Sequence, residues 1–309
     1  LTDGVVNIKG RVEEAWCDGL DVIAATEHMS IRPVADTEGK PTPESVRLKK
    51  SSAAVKAVTS ATKVAETFGV VVIPGVELTG DAKTQGHFNA LFTTDNKTIY
   101  DYDGIQSIRN ARAQGALITH NHPGWERTTS DMNEFHHKIY DAGLVDGIEV
   151  TNGNAFYPDV VRRAVERKLY MVSATDIHAT TASVYGKHNF YREMTLIFAK
   201  DKSEKSLRKA LLSQKTLGYC GGNIIGEESL LAKFFQASVK AQYVGPAKKG
   251  GVKINLTNLT SFDYTIVYNG AEVALPALKV AAEKYGDARA YNNLAIALAK
   301  EGDFAGALK

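Results

Sequence analysis

The chain has 309 residues, room for one large α/β domain with a smaller companion or for two medium domains. Hydrophobic residues make up 44%, charged residues 23%, and the formal net charge is +2, so nothing demands nucleic acid and no basic run is dense enough to track a strand. Two cysteines, Cys17 and Cys220, cannot build a disulfide framework, and no apolar run reaches the ~20 residues of a membrane span.

A turn at 1–4 opens the chain, and a helix over Lys9–Asp18 turns Val12, Ala15 and Trp16 inward. Leu20–Ala25 reads as an apolar strand that ends in Thr26-Glu27-His28. After a proline-punctuated loop, a long helix runs from Pro43 to Phe68 and stops at Gly69. Val70–Ile73 is a β-branched strand leading into Pro74-Gly75-Val76-Glu77, and another strand covers His87–Thr93. A helix over Tyr102–Gln114 precedes the strand Ala116–Thr119, which ends in His120-Asn121-His122-Pro123-Gly124-Trp125. Asp131–Ala142 is helical, Gly147–Thr151 a strand, and Pro158–Arg167 a helix with proline in its first turn. Leu169–Val172 is a buried strand running into Ser173-Ala174-Thr175-Asp176-Ile177-His178. Met194–Ala199 is a further strand and Ser203–Ser213 an amphipathic helix.

Strands thus alternate with helices, which predicts a parallel sheet or barrel with helices outside. Acids and histidines decorate nearly every strand end rather than one switch point, which favours a barrel over a doubly wound sheet. If the segment stays extended, Asp176 and His178, two residues apart, leave one strand end together. A carboxylate beside an imidazole suits a divalent cation. His28 or His87 alone reads more readily as a hydrogen-bonded strand-end histidine than as a ligand, and His120 reads either way; the recurrence is what points to metal. Lys249–Val273 alternates polar and apolar residues around Asn269-Gly270 and predicts a small antiparallel sheet. Residues 276–309 are alanine-rich and read as helical, resembling a single tetratricopeptide unit that cannot bury its own face.

Taken in order, Thr-Asp-Gly at 2–4, Thr-Glu-His at 26–28, Gly-Val-Glu at 75–77, Gly-His at 86–87, Asn-His-Pro-Gly-Trp at 121–125 and Asp-Ile-His at 176–178 resemble the motifs of the PHP (polymerase and histidinol phosphatase) family over residues 1 to about 215. The resemblance implies an α/β fold: a distorted seven-stranded (β/α) barrel with two or three divalent metal ions, commonly zinc, manganese or iron. Asp3, His28 and His178 would hold one ion. Glu77, as the bridging glutamate, would hold a second with His87 and His122, and Asp176 would complete a third site. The family's first strand, with its His-x-His, is missing ahead of Asp3, and the expectation is that the sequence is clipped there. The division expected is 1–235 for the barrel, 240–275 for the small β segment and 276–309 for the helical tail.

Function follows as hydrolysis of a phosphate mono- or diester by a metal-bridging hydroxide. Arg192 and His120 are the candidate catalytic residues, and Arg32, Lys187 and His188 are weaker candidates. Glu27 would orient His28, and Trp125 would either stack on a substrate ring or pack beneath its loop. The expected partner is a small phosphorylated substrate, with no nucleic acid or membrane and with a protein partner at the helical tail. An amidohydrolase-like enzyme acting on a C–N bond, or a non-catalytic metal-binding interaction module, remains open beside this reading, as does the compartment.

Overall fold

The computed structural model describes residues 3–31, 44–153, 155–186, 191–247, 251–268, 271–275 and 293–296. The first helix, α1 (Ile8–Cys17), is capped by the Asn7 side chain, which accepts from the Gly10 amide, and it buries Val12 and Ala15. Strand β1 (Val22–Ala25) and the short β2 (His28–Ser30) lead to α2 (Glu44–Phe68). The face that α2 buries is a run of small residues, Ala54, Ala57, Ala61 and Ala65, at the three- and four-residue spacing of one helix stripe. Next come β3 (Val71–Thr79), β4 (His87–Leu91), α3 (Gly104–Ala113), β5 (Leu117–Asn121), α4 (Glu134–Asp141), β6 (Gly147–Asn152) and β7 (Ala155–Phe156). They are followed by α5 (Pro158–Arg167), β8 (Tyr170–Ala174), α6 (Thr181–Tyr185), β9 (Met194–Ile197), α7 (Glu204–Leu212), β10 (Thr216–Cys220), β11 (Asn223–Ile225) and α8 (Glu228–Ser238).

The main sheet runs β1-β3-β4-β5-β6, with β8 paired to β6, β2 added to β3, and β7 folded back on β6. A second, antiparallel sheet, β11-β10-β9, abuts β8: Ser173 N donates to Thr195 Oγ1, and Met171 N to Thr216 Oγ1. The result is a mixed α/β fold whose sheet curls into part of a barrel. The wholly parallel sheet expected from the alternation is not found. Strand β4 pairs antiparallel with both β3 and β5, because the 80–86 turn is a hairpin connection, too short for the helical crossover a parallel partner needs.

Period-two alternation gives the sheet two unlike faces. Val76, Leu78, Phe88, Ala90 and Ile118 face the helices and form the principal core with Ile108, Ile139, Ile148 and Val160. Glu77, Thr79, His87, Asn89, Thr119 and Asn121 lie on the other, concave face. The register fixes their neighbours: Glu77 stands opposite His28 and Asn89, and His87 opposite Thr79 and Asn121. A polar stripe on a buried sheet face carries a desolvation cost, which makes it the informative departure from an ordinary core.

Beyond α8, β12 (Val239–Pro246) pairs with β13 (Val252–Asn258), and β14 (Asp263–Tyr268) pairs with β15 (Ala271–Leu275). The antiparallel pairing expected here is present, with β12 as an element the alternation did not reveal. Tyr264 and Val239 anchor a small core with Phe235, Leu256 and Phe262. Of the tail expected to be helical, 276–292 and 297–309 lie outside the described residues. Asn293–Ile296 form β16, parallel to β14, so these four residues are strand rather than helix. Pairing with β14 gives these residues a neighbouring strand, whereas a lone helical unit would leave its apolar face unburied. Among the described residues, no helix is long and apolar enough to cross a membrane.

Candidate metal centre

Six side chains from six separate segments converge on the concave face. Asp3 comes from the N-terminal turn, His28 opens β2, Glu77 lies near the end of β3, and His87 opens β4. His122 follows β5 with φ at 25°, a turn that swings its ring onto the face that Asn121 already occupies. His178 follows β8 in an irregular loop. Their donor atoms form two groups, Asp3–His28–His178 near the surface and Glu77–His87–His122 fully buried, each with its ligand atoms within 4.8 Å of one another.

The Glu77 carboxylate joins the two groups. Its Oε2 lies 2.6 Å from His28 Nδ1, and its Oε1 lies 2.9 Å from His87 Nδ1 and 4.0 Å from His122 Nε2. On the outer side, Asp3 Oδ2 is 3.1 Å from both His28 Nε2 and His178 Nε2. The His178 ring is oriented by Nδ1, which donates to the Asp176 carbonyl at 2.7 Å and leaves Nε2 for the cluster. Burial opposes ionisation of Glu77, but the hydrogen bonds from His28 and His87 outweigh it and hold the carboxyl well below its usual range. Reciprocally, the bond to Glu77 lifts His28 to about 9 against the cost of its burial. Desolvation also works against Asp3, whose carboxyl is nonetheless lowered by the adjacent His28 and His178.

These residues fit divalent cations. His122 Nε2 and His87 Nδ1 approach to 2.9 Å beside one carboxylate oxygen, and the buried His87 Nε2 has no hydrogen-bond partner. Buried nitrogens and carboxylate oxygens crowded this closely are held more naturally by a cation than by one another. Imidazole and carboxylate donors together suit borderline-to-hard divalent metals.

Two residues expected to act together do not. Asp176 and His178 sit in a bend rather than an extended segment, and Asp176 has φ at 48°. Its carboxylate therefore turns to within 4.0 Å of His122 Nδ1, while His178 turns to Asp3. His120 is not brought to the clusters either. It lies on the helix-facing side of β5, wholly buried, with Nδ1 2.9 Å from Tyr140 Oη and its ring stacked on Phe88. Arg192 lines the same cavity as the clusters, but its guanidinium already donates to Thr175 Oγ1 at 2.9 Å and contacts Asp18 Oδ2 at 3.4 Å. Trp125 packs against the His87 and His122 rings while remaining 45% exposed. The Glu27 carbonyl accepts the Glu77 amide. Arg32, Lys187 and His188 lie outside the described residues.

Sequence reasoning missed Glu149, Asn121 and Thr79. Glu149 is buried on β6, where Oε2 accepts from the His122 amide at 2.5 Å and lies 3.4 Å from His122 Nδ1. Burial of His122 disfavours its protonated form, but the Glu149 carboxylate beside its ring more than compensates and its pKa is raised. Asn121 Nδ2 donates to Glu77 Oε1 at 3.4 Å, and Thr79 Oγ1 lies 2.7 Å from His28 Nδ1. The available signal was the strand alternation, which puts Thr79, Asn121 and Glu149 on the ligand face. A cavity of about 850 Å³ opens beside the clusters between β1, β8 and β9, within the range of small-molecule sites.

The fold and the donor set together define a class: an α/β protein whose strand ends converge on paired histidine–carboxylate clusters, the architecture of a metal-dependent hydrolase. Compared as a sequence, the chain matches no family profile and no curated protein. As a structure it is similar to a two-domain protein containing a predicted PHP-like metal-dependent phosphoesterase from Bacteroides vulgatus, with a TM-score of 0.73 and 29% identity over 89% of this chain and 80% of that one. A lesion-specific endonuclease from Pyrococcus furiosus aligns over 80% of this chain and 63% of its own, with a TM-score of 0.43 and 14% identity. An amidohydrolase from Chromobacterium violaceum aligns over 57% and 84%, with a TM-score of 0.38 and 13% identity. These last two are too distant to argue from. The resemblance to the PHP family read from the six motifs extends, through the Bacteroides protein, to the three-dimensional structure.

Proposed function

We propose that the chain hydrolyses a phosphate ester of a small metabolite, using two divalent ions held by Asp3, His28 and His178 and by Glu77, His87 and His122. The observation that carries this is the Glu77 carboxylate, which presents one oxygen to each cluster. Asp176 would complete a third site, a reading supported by its carboxylate lying 4.0 Å from His122 Nδ1. Divalent ions bound there would lower the pKa of a water to near neutrality and offset charge on the phosphoryl oxygens. The chain's own residues orient the ligands. Glu149 fixes the His122 backbone amide, and Thr79 and Asp3 fix the His28 ring. Zinc, manganese and iron all match the donor types.

The activity belongs to residues 1–235, with 240–275 an appended β unit and 276–309 the segment that meets a protein partner. A seven-stranded barrel is supported by the cavity between β1 and β9, each of which pairs along one edge only among the described strands. The test is elemental analysis of purified protein beside turnover of an aryl phosphomonoester, a phosphodiester and an aryl amide. Two or more equivalents of metal with phosphoester hydrolysis are expected. Turnover of the amide alone would overturn the phosphoesterase reading, and absence of metal would leave only a binding module.

A further inference from the structure

The loop carrying Asp176 and His178 is irregular, and its bend passes through a left-handed conformation at Asp176 that residues other than glycine seldom adopt. Something must hold it, and the strands do not: β8 ends at Ala174. Three successive carbonyls, those of Ile177, His178 and Ala179, are each taken by donors from the N-terminal segment. Arg11 Nη2 donates to Ile177 O at 3.1 Å and to Ala179 O at 3.0 Å, and between them Val5 N donates to His178 O at 2.8 Å. Glu14 braces this arrangement. Its Oε2 accepts from Arg11 Nη1 at 2.7 Å, and its Oε1 accepts from Thr181 N, at the start of α6, at 2.9 Å. On the other flank, Arg192 grips the Thr175 hydroxyl. The Arg11, Glu14 and Arg192 side chains are each a quarter exposed or less, so these are not loose surface pairs.

We infer that Arg11, braced by Glu14, and Arg192 are positioning residues that hold the 175–179 loop in the bend where His178 meets Asp3 and His28. Arg11 suits this because a planar guanidinium serves two carbonyls and a carboxylate at once, which a lysine ammonium does with poorer geometry. Arg192 then acts through Thr175 and not by touching substrate. The inference rests on the proposed metal reading only for its consequence; the hold on the loop exists without metal.

Two measurements separate these. In metal-free protein, hydrogen exchange at the Val5 and Thr181 amides, both engaged by this network, is compared between wild type and Arg11→Met. Exchange at least about 10-fold faster in the variant is expected, with Arg11→Lys intermediate. Zinc titration of the same proteins is then expected to show affinity at one class of site reduced by about 10–100-fold, as for other residues that orient a ligand, and the other class unchanged. Unaltered exchange in Arg11→Met would overturn the inference. Faster exchange with no zinc taken up even by wild type would keep the positioning role and sink the metal reading. If Arg11→Met does not fold, Thr175→Val removes only the acceptor for Arg192, and faster exchange at Thr181 is the expected result; unchanged exchange overturns Arg192's part.

Discussion

Glu77 is the residue on which the centre turns. A carboxylate this buried is tolerated because His28 and His87 hold its charge, and each of its oxygens serves a different cluster. Glu77→Gln keeps the shape and removes the charge. It is expected to cost at least one equivalent of metal by elemental analysis and to lower kcat/KM by more than the roughly 100-fold typical of residues behind the ligands. Glu149 is such a residue. Glu149→Gln should weaken zinc binding at the buried cluster by about 10–100-fold in a competition titration and leave the outer cluster unchanged. Five of the six candidate ligands were legible in the sequence because each follows or opens an apolar run; Asp3, in the opening turn, was legible only through its resemblance to a PHP motif. Glu149 was not, since it sits inside a strand flanked by Ile148 and Val150 and looks like one charged residue among core positions. His120 misled for the opposite reason. It ends a strand beside a ligand, but one step of alternation separates the metal face from the helix face, and Asn121 rather than His120 is on the former. His120→Gln is expected to leave metal content intact and to cost about 1–3 kcal/mol of stability, through loss of its stack on Phe88 and an altered bond to Tyr140. A lost metal equivalent in that variant would instead return His120 to the centre.

At the scale of elements, α4 braces the turn that delivers His87. His136 at its N-terminal end completes a capping box with Asn133, and its Nε2 donates to Gln85 O, two residues before the ligand. Burial, with Arg127, Arg163 and His137 adding like charge, pushes His136 down to about 4 from its ordinary 6.5, and the neighbouring His120 is lowered as well. Between these two values the unfolded chain binds a proton at position 136 that the folded chain does not. Stability therefore falls as pH drops from 6.5 towards 4, by at most about 3 kcal/mol from this residue. His136→Gln keeps a capping-box residue and cannot titrate. Urea midpoints at pH 7 and 4.5 should lie closer together in the variant than in wild type; equal spacing would remove His136 from the acid sensitivity. Helices α1 to α5 and α7 and the longer strands of the main sheet were legible from period and punctuation, α5 to the residue, because local pattern and tertiary burial agree there, whereas α6 and α8 were not read. The antiparallel insertion of β4 and the bend at Asp176 were not. The first depends on how short a connection is, and the second on a distant arginine that no local pattern announces.

For the molecule as a whole, the two clusters cross-link segments as far apart in sequence as Asp3 and His178, so a bound ion ties the N-terminal turn, the sheet and the 175–179 loop together. An ion that binds only the folded chain stabilises it by about 2.7 kcal/mol when its free concentration is 100 times its dissociation constant. Two such ions would contribute about 5 kcal/mol, and for a domain of this size each kcal/mol moves Tm by roughly 2–4 °C. Chelation is therefore expected to lower Tm by about 10–20 °C. The shared Glu77 makes the contributions unequal under mutation. Asp3→Asn should remove about half of the metal-dependent shift, because the outer cluster alone loses a ligand, whereas Glu77→Gln should remove more than half, because the buried cluster loses a ligand and the outer cluster loses the carboxylate that holds its His28 ring. Equal losses in the two variants would mean that the clusters do not share the carboxylate. A Tm insensitive to chelator in the wild type would mean that hydrogen bonds among the histidines and carboxylates, without an ion, are what hold these six segments together.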